Sequence, residues 1–268
     1  MSATPANLLR TLVKAGAAVV PAPTGTVVLI YHRVGRRSTL DVDLTTAEFE
    51  RQVAWLANDG RTVALDRSLE ALQEQHATSS VVVTFDDGTA DFADTALPIL
   101  VKHDIPATLY LATAFVEEQR PFPDDGRPIS WAALRDACAT GLVDVGSHTH
   151  THAVLDRLPA ARVADELDRS KELIEDHLGR PCLDFAYPKA LPPSPAAAGA
   201  VRERFRSAAL AGTRPNRPGR TDRYRLARSP IQHSDGMRYF EKKVAGRMAL
   251  EDSLRTVANR WRYRGVST

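Results

Sequence analysis

Short runs of apolar and β-branched residues recur along the chain, and polar or turn-forming residues separate them. Continuous runs of this kind are typical of strands that are buried on both faces. We predict six such strands at residues 26–31, 80–85, 107–112, 143–146, 183–187 and 207–211, and a weaker seventh at residues 224–231.

Segments whose apolar residues repeat with the helical period lie between several of these runs. The clearest runs from Pro159 to Leu178 and repeats its apolar residues with the helical period. A second helix is predicted over residues 45–60, where Thr45 and Glu48 have the spacing of a capping box and Gly60 can end it. Strands that alternate with helices indicate a parallel sheet. About seven of them in one chain favour an α/β fold with a closed or nearly closed barrel.

The domain organisation follows from this pattern. We assign residues 26–235 to the barrel domain, residues 1–25 to an N-terminal amphipathic extension and residues 236–268 to a C-terminal helical extension. Residues 8–20 are apolar with a helical period, but two basic residues interrupt them, so they do not resemble the h-region of a secretion signal. We therefore expect a cytoplasmic protein. Two roles stay open for this segment: packing on the barrel, or resting on a membrane surface.

Composition narrows the class of protein. Of 268 residues, 43% are hydrophobic and 25% are charged, which is typical of a folded globular chain. The formal net charge of +2 is too small to indicate nucleic acid as a partner. The only cysteines, Cys138 and Cys182, exclude a disulfide scaffold and a Cys-rich zinc module.

Two adjacent carboxylates, Asp86 and Asp87, directly follow the second predicted strand. Parallel α/β folds place their active sites at the carboxyl ends of strands. Neighbouring side chains diverge at a strand end, so one carboxylate can bind a metal while the other accepts a proton. The alternative is an Asp-rich turn that caps the next helix.

Three histidines, His148, His150 and His152, follow the fourth predicted strand. A helical turn would place His148 and His152 on one face, because they are four residues apart. Two histidines and one carboxylate form a recurring ligand set for catalytic zinc, with one position left open for water. His150 falls on another face and is not an expected ligand. Zinc is the expected ion, and cobalt, nickel and iron are the alternatives.

His32 follows the first predicted strand. The ordinary pKa of histidine is close to neutrality, so this side chain is suited to act as a general acid. The alternative is a histidine that is hydrogen-bonded into the barrel rim. His233 occurs late in the chain and is given no role, because His32 fills that of the acid.

Four motifs, in this order, carry a resemblance to a known family. TFDDG at residues 84–88 and SHTHTH at residues 147–152 resemble the polysaccharide deacetylase family, also called the NodB-homology or carbohydrate esterase 4 family. LIYHRV at residues 29–34 and FAYPKA at residues 185–190 resemble its poly-N-acetylglucosamine deacetylase branch. The resemblance covers residues 26–232 or so. It implies a distorted (β/α)7 barrel and metal-dependent removal of an acyl group from an N-acyl sugar.

The resemblance also implies roles for individual residues. It implies metal ligation by Asp87, His148 and His152, proton acceptance by Asp86, proton donation by His32, and an oxyanion contact from the backbone N–H of Tyr187.

Substrate contacts are expected from Trp131, Tyr187 and Pro188. Trp131 can stack on a sugar ring, although a tryptophan at a helix start also suits the core. The branch usually reads FAYPYG where this chain has FAYPKA, so Lys189 and Ala190 replace an aromatic residue and a glycine. The shape of the substrate therefore stays open among oligosaccharides or polysaccharides, nucleotide-linked sugars and lipid-linked sugars. A lipid-linked substrate at the inner membrane face would suit the amphipathic N-terminus.

We therefore expect a metal-dependent hydrolase that removes an N-acetyl group from an amino sugar. The same machinery would serve an N-formyl group or an O-acetyl ester. A barrel that binds carbohydrate without catalysis is the alternative from another class. The presence of every expected catalytic residue favours the enzyme.

Overall fold

The computed structural model describes residues 24–74, 79–190 and 192–248. The amphipathic segment at residues 8–20 and most of the predicted C-terminal extension lie outside the described residues. None of the helices in the described ranges is both long and apolar enough to cross a bilayer.

Seven parallel strands close into a barrel, which confirms the predicted fold class. The strands, in chain order, are β1 (Thr26–Tyr31), β2 (Arg33–Val34), β3 (Asp43–Leu44), β4 (Ser80–Phe85), β5 (Ala107–Leu111), β6 (Val143–Ser147), β7 (Asp184–Ala186), β8 (Ser207–Ala211) and β9 (Leu226–Pro230). The barrel order is β1-β4-β5-β6-β7-β8-β9, and β9 pairs back onto β1. The short strands β2 and β3 pair with each other outside the barrel.

Helices surround the barrel. They are α1 (Thr46–Asp59), α2 (Leu65–Gln73), α3 (Leu97–Lys102), α4 (Thr113–Glu118), α5 (Trp131–Ala139), α6 (Ala160–Leu178), α7 (Pro195–Arg204) and α8 (Gly236–Val244). The capping box predicted at α1 is formed, since Thr45 Oγ1 accepts from Glu48 N and the Glu48 carboxylate accepts from Thr45 N. Gly60 ends α1 in the left-handed conformation that glycine adopts without strain.

The strands separate two layers of apolar side chains, which explains their continuous apolar sequence. One layer fills the barrel, and the other lies between the strands and the helices. The inner layer includes Val28, Val82, Tyr110, Ala186, Ala209 and Leu226. Alternate residues of each strand therefore enter different layers, and both sets are buried.

The inner layer depends on a glycine in β6. A Cβ at Gly146 would lie 2.7 Å from the Tyr110 ring and 2.7 Å from the Asp184 carbonyl oxygen. The glycine therefore leaves the space that the Tyr110 ring occupies inside the barrel. This ring in turn supports part of the site described below.

The helix α8, which was predicted as part of a C-terminal extension, packs closely on the barrel domain. Its Phe240 ring meets the Trp55 ring of α1 edge-on, with centroids 5.8 Å apart. Its Lys243 ammonium donates to the Pro230 carbonyl at the end of β9, at 2.7 Å. The helix thus covers the seam where the last strand of the barrel meets the first. The boundary at residue 235 stays a prediction.

Candidate active site

Three strand ends bring the predicted site residues together at one rim of the barrel. His32 follows β1, Asp86 and Asp87 follow β4, and His148 follows β6. The Asp86 N–H donates to the Tyr31 carbonyl at 3.0 Å, so the ends of β1 and β4 stay paired at the rim. Because all barrel strands run in parallel, their carboxyl ends open on the same face.

Asp87, His148 and His152 face one another across this rim. The Asp87 Oδ1 lies 3.7 Å from His148 Nε2 and 3.4 Å from His152 Nε2, and the three donor atoms lie within 4.8 Å of one another. Zinc bonds of ~2.1 Å at tetrahedral angles place donor atoms ~3.4 Å apart. The donor set and its spacing therefore fit a small divalent cation. His148 is buried, whereas Asp87 and His152 are partly exposed. The three side chains are therefore accessible from solvent on one side.

The two histidines meet through a loop, and the helical turn predicted for them is wrong. Residues 148–154 form no helix. The residues Thr149 and His152 have φ of 65° and 63°, and Asp87 has φ of 75°. Such left-handed geometry is strained for residues other than glycine, and strain of this kind often marks functional sites. A strained loop, and not a helix, therefore brings the rings of His148 and His152 to the same site.

Polar contacts hold this loop in place. The Ala186 carbonyl at the end of β7 lies 2.7 Å from His148 Nδ1, which leaves His148 Nε2 facing Asp87. Glu166 of α6 is buried and accepts from both the N–H and the hydroxyl of Thr151, each at 2.7 Å. Residues that hydrogen-bond to the far side of a metal-ligating histidine orient its ring and set its tautomer.

Asp86 forms a buried ion pair with Arg228 of β9. The guanidinium donates to both carboxylate oxygens, at 2.6 and 2.9 Å. Burial alone raises the pKa of the Asp86 carboxyl, but the charge of Arg228, aided by His148 and His32, outweighs it and lowers the pKa to about 2. Asp86 is therefore ionised at neutral pH. Its Oδ2 lies 3.9 Å from His148 Nε2, beside the three facing side chains.

Sequence reasoning missed Arg228. Its guanidinium carbon lies 5.0 Å from the centroid of the Tyr110 ring, inside the barrel, and its side chain is fully buried. The signal that could have found it is that Arg228 follows the apolar residues Leu226 and Ala227 inside the predicted strand at residues 224–231. A charged residue at a buried strand position is rarely there without a partner.

His32 lies beside Asp86 at the rim, and its charge contributes to the low pKa of the Asp86 carboxyl. His32 Nδ1 is buried and has no hydrogen-bond partner among the described residues. A buried polar atom without a partner is costly, so such atoms often serve a ligand or substrate.

The structure places Tyr187 differently from the expectation. Its N–H, expected to meet an oxyanion, donates to the Ala209 carbonyl at 3.1 Å. Its ring packs edge-on against Phe185, with centroids 5.0 Å apart. Pro188 has no N–H, so Lys189 carries the next backbone donor on this loop. Tyr187 and Pro188 line a shallow cleft together with Val154, two residues beyond His152.

Trp131 takes part in a contact between helices. The His177 ring of α6 stacks on it at 4.2 Å, and its Nε1 donates to the Glu117 carboxylate of α4 at 2.8 Å. One face of the indole is thus covered, which supports the packing role over stacking on a sugar.

His150 and His233, the other two histidines discussed in the sequence analysis, contact side chains outside this group. His150 Nδ1 lies 3.0 Å from the Thr113 hydroxyl, and His233 Nδ1 lies 2.8 Å from the Glu48 carboxylate. Burial lowers the pKa of His150. Cys138 and Cys182 are free thiols, as the sequence suggested.

Comparison with known proteins finds similar sequences and similar structures. Residues 73–202 match the polysaccharide deacetylase family. A poly-β-1,6-N-acetyl-D-glucosamine N-deacetylase of Staphylococcus aureus (strain MSSA476) is 26% identical over 172 residues, which cover 60% of this chain and 59% of the relative. The match thus spans less than two thirds of the length of that relative.

Solved structures share the barrel. The structure of IcaB from Ammonifex degensii superposes with a TM-score of 0.73 at 26% identity, over 85% of this chain and 99% of that one. The deacetylase PplD of Streptococcus pyogenes, at 19% identity, shares the fold with a TM-score of 0.71, over 83% of this chain and 99% of that one. Residues 73–202 of this chain are thus similar to the polysaccharide deacetylase family, and the barrel as a whole is similar to that of IcaB.

Proposed function

We propose that the protein is a metal-dependent hydrolase that removes the N-acetyl group from an N-acetylated amino sugar, giving the free amine and acetate. One observation carries the proposal: Asp87, His148 and His152 face one another at the barrel rim, directly beside the ionised carboxylate of Asp86. The family match and the name of the Staphylococcus aureus relative support an N-acetylated sugar as the substrate class.

Asp87, His148 and His152 would hold the metal, and zinc is the ion we propose first. One carboxylate and two imidazoles suit zinc, although cobalt, nickel and iron also accept this donor set. A cation bound there would polarise the acyl carbonyl and make a water molecule more acidic.

Asp86 would accept the proton of the attacking water. Its ion pair with Arg228 keeps it in the accepting, ionised form and fixes the direction of its carboxylate. The same ion pair makes Asp86 a weak base, since its pKa is lowered to about 2. The transfer therefore needs a water that is already acidified, which explains why a metal site and this carboxylate belong together.

His32 would protonate the leaving amine. An amine is a poor leaving group, so a positioned acid speeds its departure. His32 is next to Asp86 at the rim, and its unpaired Nδ1 shows that packing does not use its full hydrogen-bonding capacity.

The backbone N–H of Lys189 would contact the developing oxyanion. It takes this role from Tyr187, whose N–H donates to Ala209. A fixed backbone donor at this point stabilises charge as it develops.

The test is acetate release, measured together with metal content on the same purified samples. Substrates would be N-acetylglucosamine, short β-1,4- and β-1,6-linked oligomers of it, and a nucleotide-linked N-acetylhexosamine, each with and without a chelator. We expect chelator-sensitive acetate release from at least one substrate. Asp86→Asn should abolish turnover and keep the metal, whereas His148→Ala should lose both.

Two results would contradict the proposal. Failure to bind any of the four metals after reconstitution would remove the catalytic site and favour a carbohydrate-binding barrel. An N-formyl sugar and an O-acetyl ester would be offered in the same assay. Release of formate, or of acetate from the ester but from none of the N-acetyl sugars, would keep the site and change the bond that it cleaves.

A further inference from the structure

The loop after β7 carries a side chain that neither the fold nor the proposed reaction uses. Lys189 is exposed, with φ of 58°. In the described part of the chain, no hydrogen bond or ion pair involves its ammonium. A lysine rarely adopts left-handed geometry, so the loop holds it there against a local cost.

The position of this loop places Lys189 at the rim. The loop begins at Ala186, whose carbonyl contacts His148. Its residues Tyr187 and Pro188 line a cleft with Val154, which follows His152 by two residues. Lys189 directly follows Pro188 and is exposed beside this cleft.

Two carboxylates of this region have other partners. Asp86 is paired with Arg228, at 2.6 Å. Asp156 lines the same cleft, but its carboxylate accepts the Ser194 N–H at 2.7 Å and forms no ion pair with Lys189 among the described residues. Among the residues that the structure describes, Lys189 is thus a cation without an ion-pair partner, and it directly follows the cleft residue Pro188.

We propose that Lys189 forms a subsite for an anionic substituent, a phosphate ester or a carboxylate, on the N-acyl sugar. This inference rests on the proposed function. A lysine is a point charge that pairs with either anion, and a flexible side chain can follow a substituent at the rim.

The test compares three sugars on the metal-loaded protein: an N-acetylglucosamine methyl glycoside, N-acetylglucosamine 1-phosphate and N-acetylmuramic acid. The readout is the ratio of kcat/KM for each anionic sugar to that for the neutral one. Lys189→Gln should lower the ratio for the preferred anion by roughly fivefold, and Lys189→Glu should lower it further. Lys189→Arg should keep it. These variants leave the backbone N–H in place.

Lys102→Gln is the matched control, because it removes an exposed charge that pairs with Glu50 on the outside of the barrel. Its ratio should equal that of the wild type. High salt should lower the ratio of the wild type and have a smaller effect on Lys189→Gln. The two anionic sugars show whether phosphate or carboxylate is the partner.

A ratio that is equal in the wild type and Lys189→Gln for both anions, with the neutral sugar still hydrolysed, would overturn this inference and leave the proposed function intact. If no sugar is hydrolysed, the proposed function fails, and calorimetric binding of the two anionic sugars decides the inference. Weaker binding to Lys189→Gln than to the wild type would then support it, and equal binding would overturn it.

Discussion

The ion pair between Asp86 and Arg228 shows how single residues set the chemistry of the rim. Both side chains are buried, and each would be costly without the other. The arginine comes from β9 and the carboxylate follows β4, with β1 between them in the barrel. An ionised carboxylate is thereby kept in a place where burial alone would favour its neutral form.

The first prediction concerns acid stability. The pKa of Asp86 is lowered from 3.8 to about 2 in the folded state, so its ionised form stabilises the fold above its ordinary pKa. That stabilisation is lost as the pH falls towards 2. The free energy of unfolding of the wild type, minus that of Asp86→Asn, should therefore fall by about 2 kcal/mol as the pH is lowered from about 5 towards 2.

Urea unfolding of the metal-free proteins between pH 2 and pH 7 would measure this difference. Carboxylates that do not interact with Asp86 contribute equally to both proteins and cancel. A difference that does not change with pH would show that Asp86 has an ordinary pKa in the folded state.

The second prediction concerns His32. If it protonates the leaving amine, His32→Gln should slow N-acetyl hydrolysis by about 10²- to 10⁴-fold. Hydrolysis of p-nitrophenyl acetate should slow much less, because its leaving group departs without a proton. Comparing kcat for the two substrates separates this role from a general loss of folding or metal. Equal losses with both substrates would argue against His32 as the acid.

At the scale of elements, the loop after β6 depends on the helix that follows it. Capping boxes, helix stripes and buried strands are local, so the sequence predicted α1, α6 and the barrel strands correctly. The loop at residues 148–152 is not local. Its shape depends on Glu166 of α6 and on the Ala186 carbonyl of β7, so a spacing of four residues suggested a helical turn that does not form.

The third prediction tests this support. Glu166→Gln should weaken the two hydrogen bonds that position Thr151, and metal affinity should fall by about 10- to 100-fold. Competition with a chromophoric chelator would measure the affinity, and circular dichroism would check the fold. Glu172→Gln changes an exposed carboxylate on the same helix and is the matched control. An unchanged affinity in Glu166→Gln would show that the loop holds its shape without this contact.

At the scale of the whole molecule, closure of the barrel joins distant parts of the chain. β9 pairs with β1, and α8 covers the junction. The Lys243 ammonium is fully buried and donates to the Asp235 carboxylate at 2.7 Å as well as to the Pro230 carbonyl. This helix was predicted as an appendage because its basic sequence gave no sign of the buried ion pair.

The fourth prediction follows from this closure. Lys243→Met removes the buried ammonium that pairs with Asp235 and should cost about 3–5 kcal/mol of stability. For a chain of this size, that lowers Tm by roughly 2–4 °C per kcal/mol. Lys242→Met, one position earlier on the same helix, should change Tm little. Equal Tm values for the two variants would show that the Lys243 contact adds no stability.

The sequence by itself determined the barrel, its strands and the chemical identity of the rim. Buried parallel strands need continuous apolar runs, and the motifs at their ends are contiguous, so both are readable from neighbouring residues. The tertiary structure alone decided that Arg228 meets Asp86, that the Tyr187 N–H is taken by Ala209, and that the Trp131 ring is covered. These contacts join residues that are far apart in the chain, so neighbouring positions do not reveal them. Pairing of β9 with β1 brings Arg228 near Asp86, pairing of β7 with β8 brings Tyr187 to Ala209, and packing of α5 on α6 covers Trp131.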